Sequence, residues 1–264
     1  MHRHSRLPRP RPRHPARSRA PRPSGRPRRL LAATLPVVAL AGVALVGPAT
    51  PATADGPPRG HDVSSHQKNV DWAEAREEGA RFVYVKATES HGYRSPAFRE
   101  QYDGAREAGL LRGAYHFAVP SASGGARQAR YFLRNGGRWK SDGWTLPPAL
   151  DIEHNPYNSR QPCYGLSKGA MVRWIRSFSK EVRRETGRRP VIYTTTRWWN
   201  DCTGSSRSFR THPLWLANWH DVPGPLPAGW SIPTLWQYAD TGPLPGDQDR
   251  WNGTLGQLKK FARG

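Results

Sequence analysis

Between residues 60 and 195 short apolar runs alternate with amphipathic segments, and that alternation leaves the chain few architectures. The candidate strands are Gly60–Ser64, Phe82–Thr88, Arg112–Ala118, Pro148–Glu153, Val191–Thr195, Leu214–Asn218 and Thr234–Tyr238. Several are β-branched or aromatic and bounded by Gly or Pro, as strands require. Helix-like segments lie between the first five: Trp72–Glu78, Pro96–Ala108, Gly125–Asn135 and Lys168–Thr186. In the last, Met171, Ile175, Phe178 and Val182 recur at helical spacing, and Gly187 supplies a C-terminal stop. Such alternation implies a parallel sheet with helices outside it. After Thr195 the pattern shows no further helix, and the connections turn Gly/Pro/Ser-rich, as in residues 221–229. A single-domain α/β barrel whose final strands lack full helices fits this order, with an open doubly wound sheet as the alternative. No GxGxxG or GxxxxGK follows a strand, so a nucleotide site is not expected.

The first 54 residues differ in kind. They carry 11 Arg, no Lys and no acidic residue, so residues 55–264 hold 30 basic against 20 acidic side chains, a net +10 of the chain's +21. All 11 Trp, 9 Tyr and 7 Phe fall after position 54, which excludes intrinsic disorder there. A basic stretch precedes the apolar run Leu30–Val46, and Ala52-Thr53-Ala54 follows, the order of a secretory signal peptide cleaved after Ala54. The competing reading, a membrane anchor, needs roughly 20 apolar residues. The run has 17 and is broken by Pro36 and Gly42, so no stable membrane insertion is expected after cleavage. An arginine-rich arm could bind nucleic acid. Ahead of an export segment the same charge orients insertion, and no nucleic-acid partner is expected. Residues 55–264 then form the mature, secreted, monomeric domain. Cys163 and Cys202 lie within it, and in an oxidising compartment a single pair reads as one disulfide. No His/Cys spacing resembles a zinc site, so neither metal nor cofactor is expected.

Chemistry concentrates in Leu150-Asp151-Ile152-Glu153. Side chains alternate along a strand, so Asp151 and Glu153 share one face. Two acids side by side raise each other's hold on a proton, which suits acid/base work; a structural ion pair is the alternative. Other strands add Asp62 near the end of the first and Lys86 and Glu89 at the end of the second. Tyr115 and His116 lie in the third, Tyr193 in the fifth, Trp215 in the sixth and Trp236 in the seventh. Polar and aromatic side chains gathered at strand C-terminal ends mark the active face of a barrel. Aromatic rings with polar rims suit a carbohydrate, whereas any one Trp alone would read as core.

These residues resemble the glycoside hydrolase family 25 lysozymes. The resemblance rests on Gly60-His61-Asp62-Val63-Ser64-Ser65-His66-Gln67, Val85-Lys86-Ala87-Thr88-Glu89, Arg112-Gly113-Ala114-Tyr115-His116-Phe117 and Leu150-Asp151-Ile152-Glu153-His154-Asn155-Pro156. It continues through Val191-Ile192-Tyr193-Thr194-Thr195, Trp236-Gln237-Tyr238 and Asp247-Gln248-Asp249-Arg250-Trp251-Asn252-Gly253. It implies a modified TIM-like (β/α)5(β)3 barrel acting on peptidoglycan glycan strands. Asp62, Asp151, Glu153 and Asp247 match the family's functional acids, with Glu153 as proton donor. The last acid belongs to a family pattern Asp-x-Asn-x-Phe-Asn-Gly, which anchors on Trp251-Asn252-Gly253 and selects Asp247. This chain departs from it, with Asp249 at the Asn position and Trp251 at the Phe, so Asp249 is the alternative. The contexts of Cys163 and Cys202 resemble a subgroup in which these cysteines pair. For the second catalytic role, direct attack by a carboxylate competes with attack by the substrate's own acetamido group assisted by Asp151.

Overall fold

A computed structural model describes residues 56–264; the expected signal peptide and its cleavage site lie outside the described residues. Strands β1 (Arg59–Val63), β2 (Ala80–Glu89) and β4 (Leu111–Phe117) alternate with helices α1 (Trp72–Glu77), α2 (Phe98–Glu107) and α3 (Gly125–Arg134). A two-residue strand β3 (Tyr93–Arg94) folds back on β2. Then follow β5 (Ala149–Asp151), α4 (Lys168–Thr186), β6 (Val191–Thr194), α5 (Thr196–Thr203), β7 (Leu214–Ala217), β8 (Leu235–Ala239), β9 (Asp247–Trp251) and α6 (Leu255–Arg263). From β1 through β2, β4, β5, β6 and β7 to β8 every neighbouring pair is parallel. Strand β9 then runs antiparallel to both β8 and β1 and closes an eight-stranded barrel. The open-sheet alternative is excluded by that closure.

Two expectations about the C-terminal third need correction. Helices do not vanish after Thr195, because α5 and α6 follow it. Helix α5 is short and built from Thr and Trp, which carry little helical propensity. It is held by the Thr195 cap, by burial of Trp198 and Trp199, and by Gly204 in the left-handed region (φ 67°). Helix α6 did have a sequence signal, the Thr254–Gln257 capping box, which forms as both reciprocal hydrogen bonds. The eighth strand was also not located, because Asp247-Gln248-Asp249-Arg250-Trp251 is too charged to read as a strand.

Strand period sorts side chains into two layers. Phe82, Tyr84, Leu111, Tyr115, Ala149, Val191, Tyr193, Trp215, Leu235 and Trp251 fill the barrel interior. Leu150, Ile152 and Ile192 point outward and pack beneath α3, α4 and α5 against Phe132, Trp174, Ile175, Phe178 and Trp198. Each such large side chain removed from water contributes about 1.5–3 kcal/mol. The interior has room for so many rings because Gly113 lies opposite Tyr84, whose ring occupies the space a Cβ would need. Cys163 and Cys202 form the expected disulfide, Cα atoms 5.3 Å apart, joining the segment after β5 to the end of α5. No helix among the described residues is long and apolar enough to cross a membrane.

Candidate active site

Parallel strands aim their C-terminal ends at one rim, and there the acids meet. Asp62, Asp151, Glu153 and Asp247 line one cavity of about 230 Å³, together with Lys86, Tyr115, Tyr193, Trp215 and Gln237. Asp62 and Asp247 are direct partners across the β1–β9 ladder, and Asp151 is in register with Tyr193. Gly246 makes the first pairing possible. It adopts φ 77°, and a Cβ there would run into the backbone oxygen of Asp62.

Gln237 organises the cavity. Its Oε1 accepts from Tyr193 Oη at 2.9 Å and from Trp219 Nε1 at 3.0 Å. An indole N–H only donates, so this end of the amide is the oxygen. Its Nε2 therefore faces the acids, donating to Asp62 Oδ2 at 2.7 Å and Asp247 Oδ2 at 3.1 Å. One amide holds two carboxyls whose strands lie at the closure of the barrel.

The electrostatics follow from burial among like charges. Burial raises the Glu153 carboxyl to about 7, against the pull of the Lys86 ammonium and a hydrogen bond with Asp151. Burial, then the neighbouring Glu153, pushes Asp151 well above the usual carboxylate range. Asp62 is raised by burial and by Asp247, and Asp247 itself reaches about 6 through burial and Asp240. Lys86 is the one Lys or Arg lining the cavity. One ammonium cannot balance this many carboxylates, so the cavity resists their full ionisation.

The other sequence-derived site residues divide. Lys86 is fixed by an ion pair with Glu89 at 2.8 Å and lies 4.7 Å from the Phe117 ring centroid. Glu89 accepts a hydrogen bond from Tyr157 and is not part of the cavity wall; it positions Lys86. His116 does not belong to the site. It faces the helix layer, fully buried, bonded to Thr88 Oγ1 at 2.8 Å and Gln128 Oε1 at 3.0 Å, and stacked on Phe178. Trp236 is likewise turned away, its Nε1 donating to the Asn218 backbone at 2.8 Å beside Arg250. Both corrections have one cause: inward parity falls on Tyr115 and Gln237, so their strand neighbours point outward. Gln237 and Trp219 were missed. The signal for Gln237 was its place in the Trp-Gln-Tyr motif, and for Trp219 its position just past a strand end.

Trp219 borders a second, open groove of about 700 Å³ that shares Glu153 and Tyr193 with the acid cavity. Its indole is 52% exposed and yet held in place by Gln237. Among the described residues, no group of three His, Cys, Asp or Glu is disposed to hold a metal ion.

A closed α/β barrel with buried carboxyls and an adjoining groove at its C-terminal rim is an arrangement that suits a glycoside hydrolase. Residues 61–247 match the family model "Glycosyl hydrolases family 25". The chain is 46% identical over 232 residues to an N,O-diacetylmuramidase of Arthroderma benhamiae, covering 87% of this chain and 97% of the relative. It is 43% identical to Lysozyme M1 of Streptomyces globisporus, over 77% of this chain and 71% of the relative. Among solved structures, a family GH25 lysozyme from Aspergillus fumigatus superposes with a TM-score of 0.77 at 47% identity, over 79% of this chain and all of that one. The chain belongs to glycosyl hydrolases family 25, the lysozyme family.

Proposed function

We propose that this protein is a muramidase that hydrolyses the β-1,4 bond between N-acetylmuramic acid and N-acetylglucosamine in bacterial peptidoglycan. The observation that carries the reading is the position of Glu153, a carboxyl held at about 7 where the acid cavity opens into the groove. A protonated acid at neutral pH can donate to a leaving glycosidic oxygen, then act as base towards water. Asp151 ends β5 and Glu153 follows two residues later, both lining the one cavity, so they meet the sugar from one side. That arrangement favours attack by the substrate's 2-acetamido oxygen, with Asp151 orienting its N–H, over direct attack by a carboxylate from the far face. Asp62 and Asp247 hold the field around Glu153. Residues 1–54 read as a cleaved export signal that delivers the enzyme to the wall. The +10 charge of residues 55–264 draws it to an anionic polymer, more weakly as salt rises. The names of the relatives above support the same substrate class.

The test is mass spectrometry of digested peptidoglycan. Fragments are expected to carry muramic acid at the reducing end; glucosamine there, or cleavage of chitin in preference, would overturn the assignment. Trp219 in this reading is a platform for a neighbouring sugar in the groove. Trp219→Ala is expected to raise KM about five- to tenfold with kcat little changed, the equivalent of roughly 1 kcal/mol of aromatic packing. An unchanged KM would remove Trp219 from the binding surface.

A further inference from the structure

Beneath the cavity lies an acid for which the reaction above has no use. Asp249 sits two residues after Asp247 on β9, on the same inward face, with no measurable exposure. Its Oδ1 accepts from Trp215 Nε1 at 2.8 Å. Its Oδ2 is buried with no donor in reach. The neighbour on that face is another acid: the β1–β9 register pairs Asp62 with Asp247 and Gly60 with Asp249, which makes Asp62 and Asp249 diagonal neighbours across the ladder, and each acts on the ionisation of the other. The remaining titratable groups acting on Asp249 or acted on by it are Asp247 and Tyr84, and neither supplies a positive charge.

Two neighbouring buried carboxylates without a counter-ion are not sustainable in a low-dielectric interior, and an unpaired buried oxygen costs about 1–3 kcal/mol or more. One proton between them removes both penalties, turning the contact into an O–H···O bond. Position decides which acid keeps it. Asp62 lines the cavity and already accepts from Gln237, a bond that favours its anion against the burial and the Asp247 charge that raise it. Asp249 is sealed below, and the acceptor role of Oδ1 towards Trp215 is as compatible with a neutral acid as with an anion.

We infer that Asp249 is a positioning residue: a neutral carboxylic acid that donates its proton to Asp62, fixing that side chain and keeping it the anion beneath the reacting sugar. The inference deepens the proposed function and rests on it for the role of Asp62. Trp215 joins the arrangement as the clamp on Oδ1 that sets the rotation of the Asp249 carboxyl and leaves Oδ2 free to carry the proton. Because the donated group is a hydrogen-bond donor and not a charge, a neutral amide can replace it.

Asp249→Leu and Asp249→Asn, with thermal melts for both, test this. Leu is expected to lower kcat on soluble glycan fragments about 10- to 100-fold with KM within about twofold, as loss of a supporting hydrogen bond does. Asn restores kcat to within about fivefold of the parent, its amide N–H replacing the acid O–H. Infrared spectra at pH 7 give a readout independent of substrate and of whether the Leu variant folds. The parent shows a protonated-carboxyl band that loses intensity in Asp249→Asn. An Asn variant as slow as Leu, or parent and Asn spectra with equal carboxylic-acid intensity, would overturn the inference. If instead no variant nor the parent cleaves the glycan while the infrared difference is present, the proposed function fails and the proton assignment stands.

Discussion

Glu153→Gln is expected to lower turnover of peptidoglycan about 10²- to 10⁴-fold, the range that a positioned general acid supplies. The amide keeps the shape of the side chain and the groove that binds the sugar, so KM should stay within a few fold. Retained lysis at near the parent rate would eliminate the proposed acid. The parent's activity should fall as pH rises through about 7, because Glu153 must carry its proton to donate it. The other limb belongs to the coupled acids together, and no single residue owns it. In the Gln variant the residual activity should lose the descent near 7.

The same substitution has the opposite effect on stability. A carboxyl held at about 7 in the folded chain binds more protons than it does unfolded across the interval from about 4.5 to 7. Stability therefore falls as pH rises through that interval, and the deficit is constant above it. Below about 4.5 both states are protonated and the group contributes nothing. Glu153→Gln should thus stabilise the fold at pH 8 by an amount of order 1–3 kcal/mol, read as a higher melting temperature, and leave it unchanged near pH 4. Equal melting temperatures at pH 8 would mean that Glu153 is not perturbed in the folded protein. The proposed acid is one the fold pays to keep.

Removing the disulfide by Cys163→Ser with Cys202→Ser has the second large effect. The bridge closes a loop of 39 residues, worth roughly 4 kcal/mol on the chain-entropy account. For a domain of about 200 residues that corresponds to a fall of about 8–16 °C in Tm. The effect should extend to catalysis. The tethered segment carries Tyr157, which donates to Glu89, and Glu89 in turn holds Lys86 against the acid cavity. Freed of its anchor, that chain loosens, and the reduced variant should lose kcat as well as stability. A melting temperature unchanged within 2 °C would show that α5 and the segment after β5 are held without the bridge.

Some of this molecule is legible from residue order because the period of a strand is short and strict. Met171, Ile175, Phe178 and Val182 announce α4, and all six residues lie where their spacing predicts when Trp174 and Ser179 are added to the buried face. Asp151 and Glu153 share a face for the same reason. What period alone leaves open is which face turns inward. Size and chemistry point to the Trp236 ring and the His116 imidazole, while parity turns their neighbours Gln237 and Tyr115 inward. The site's own strand is the hardest to see: β9 is charged on its inward face, with Asp247 in the cavity wall and Asp249 buried beside it, so it breaks the local pattern that would reveal it.

Residue order by itself determined the alternation of strands and helices, the Asp-x-Glu pair and the pairing of two cysteines, since each depends on neighbours a few positions apart or on there being only one partner. Only the tertiary structure decided that β9 runs antiparallel between β8 and β1, bringing Asp247 opposite Asp62 and placing Gln237 between them and Trp219. The bond from Gln237 to Asp62 joins residues 175 positions apart. Such contacts exist because closing the barrel satisfies the backbone of its two edge strands, and no local rule in the chain records which charges that closure will bring together.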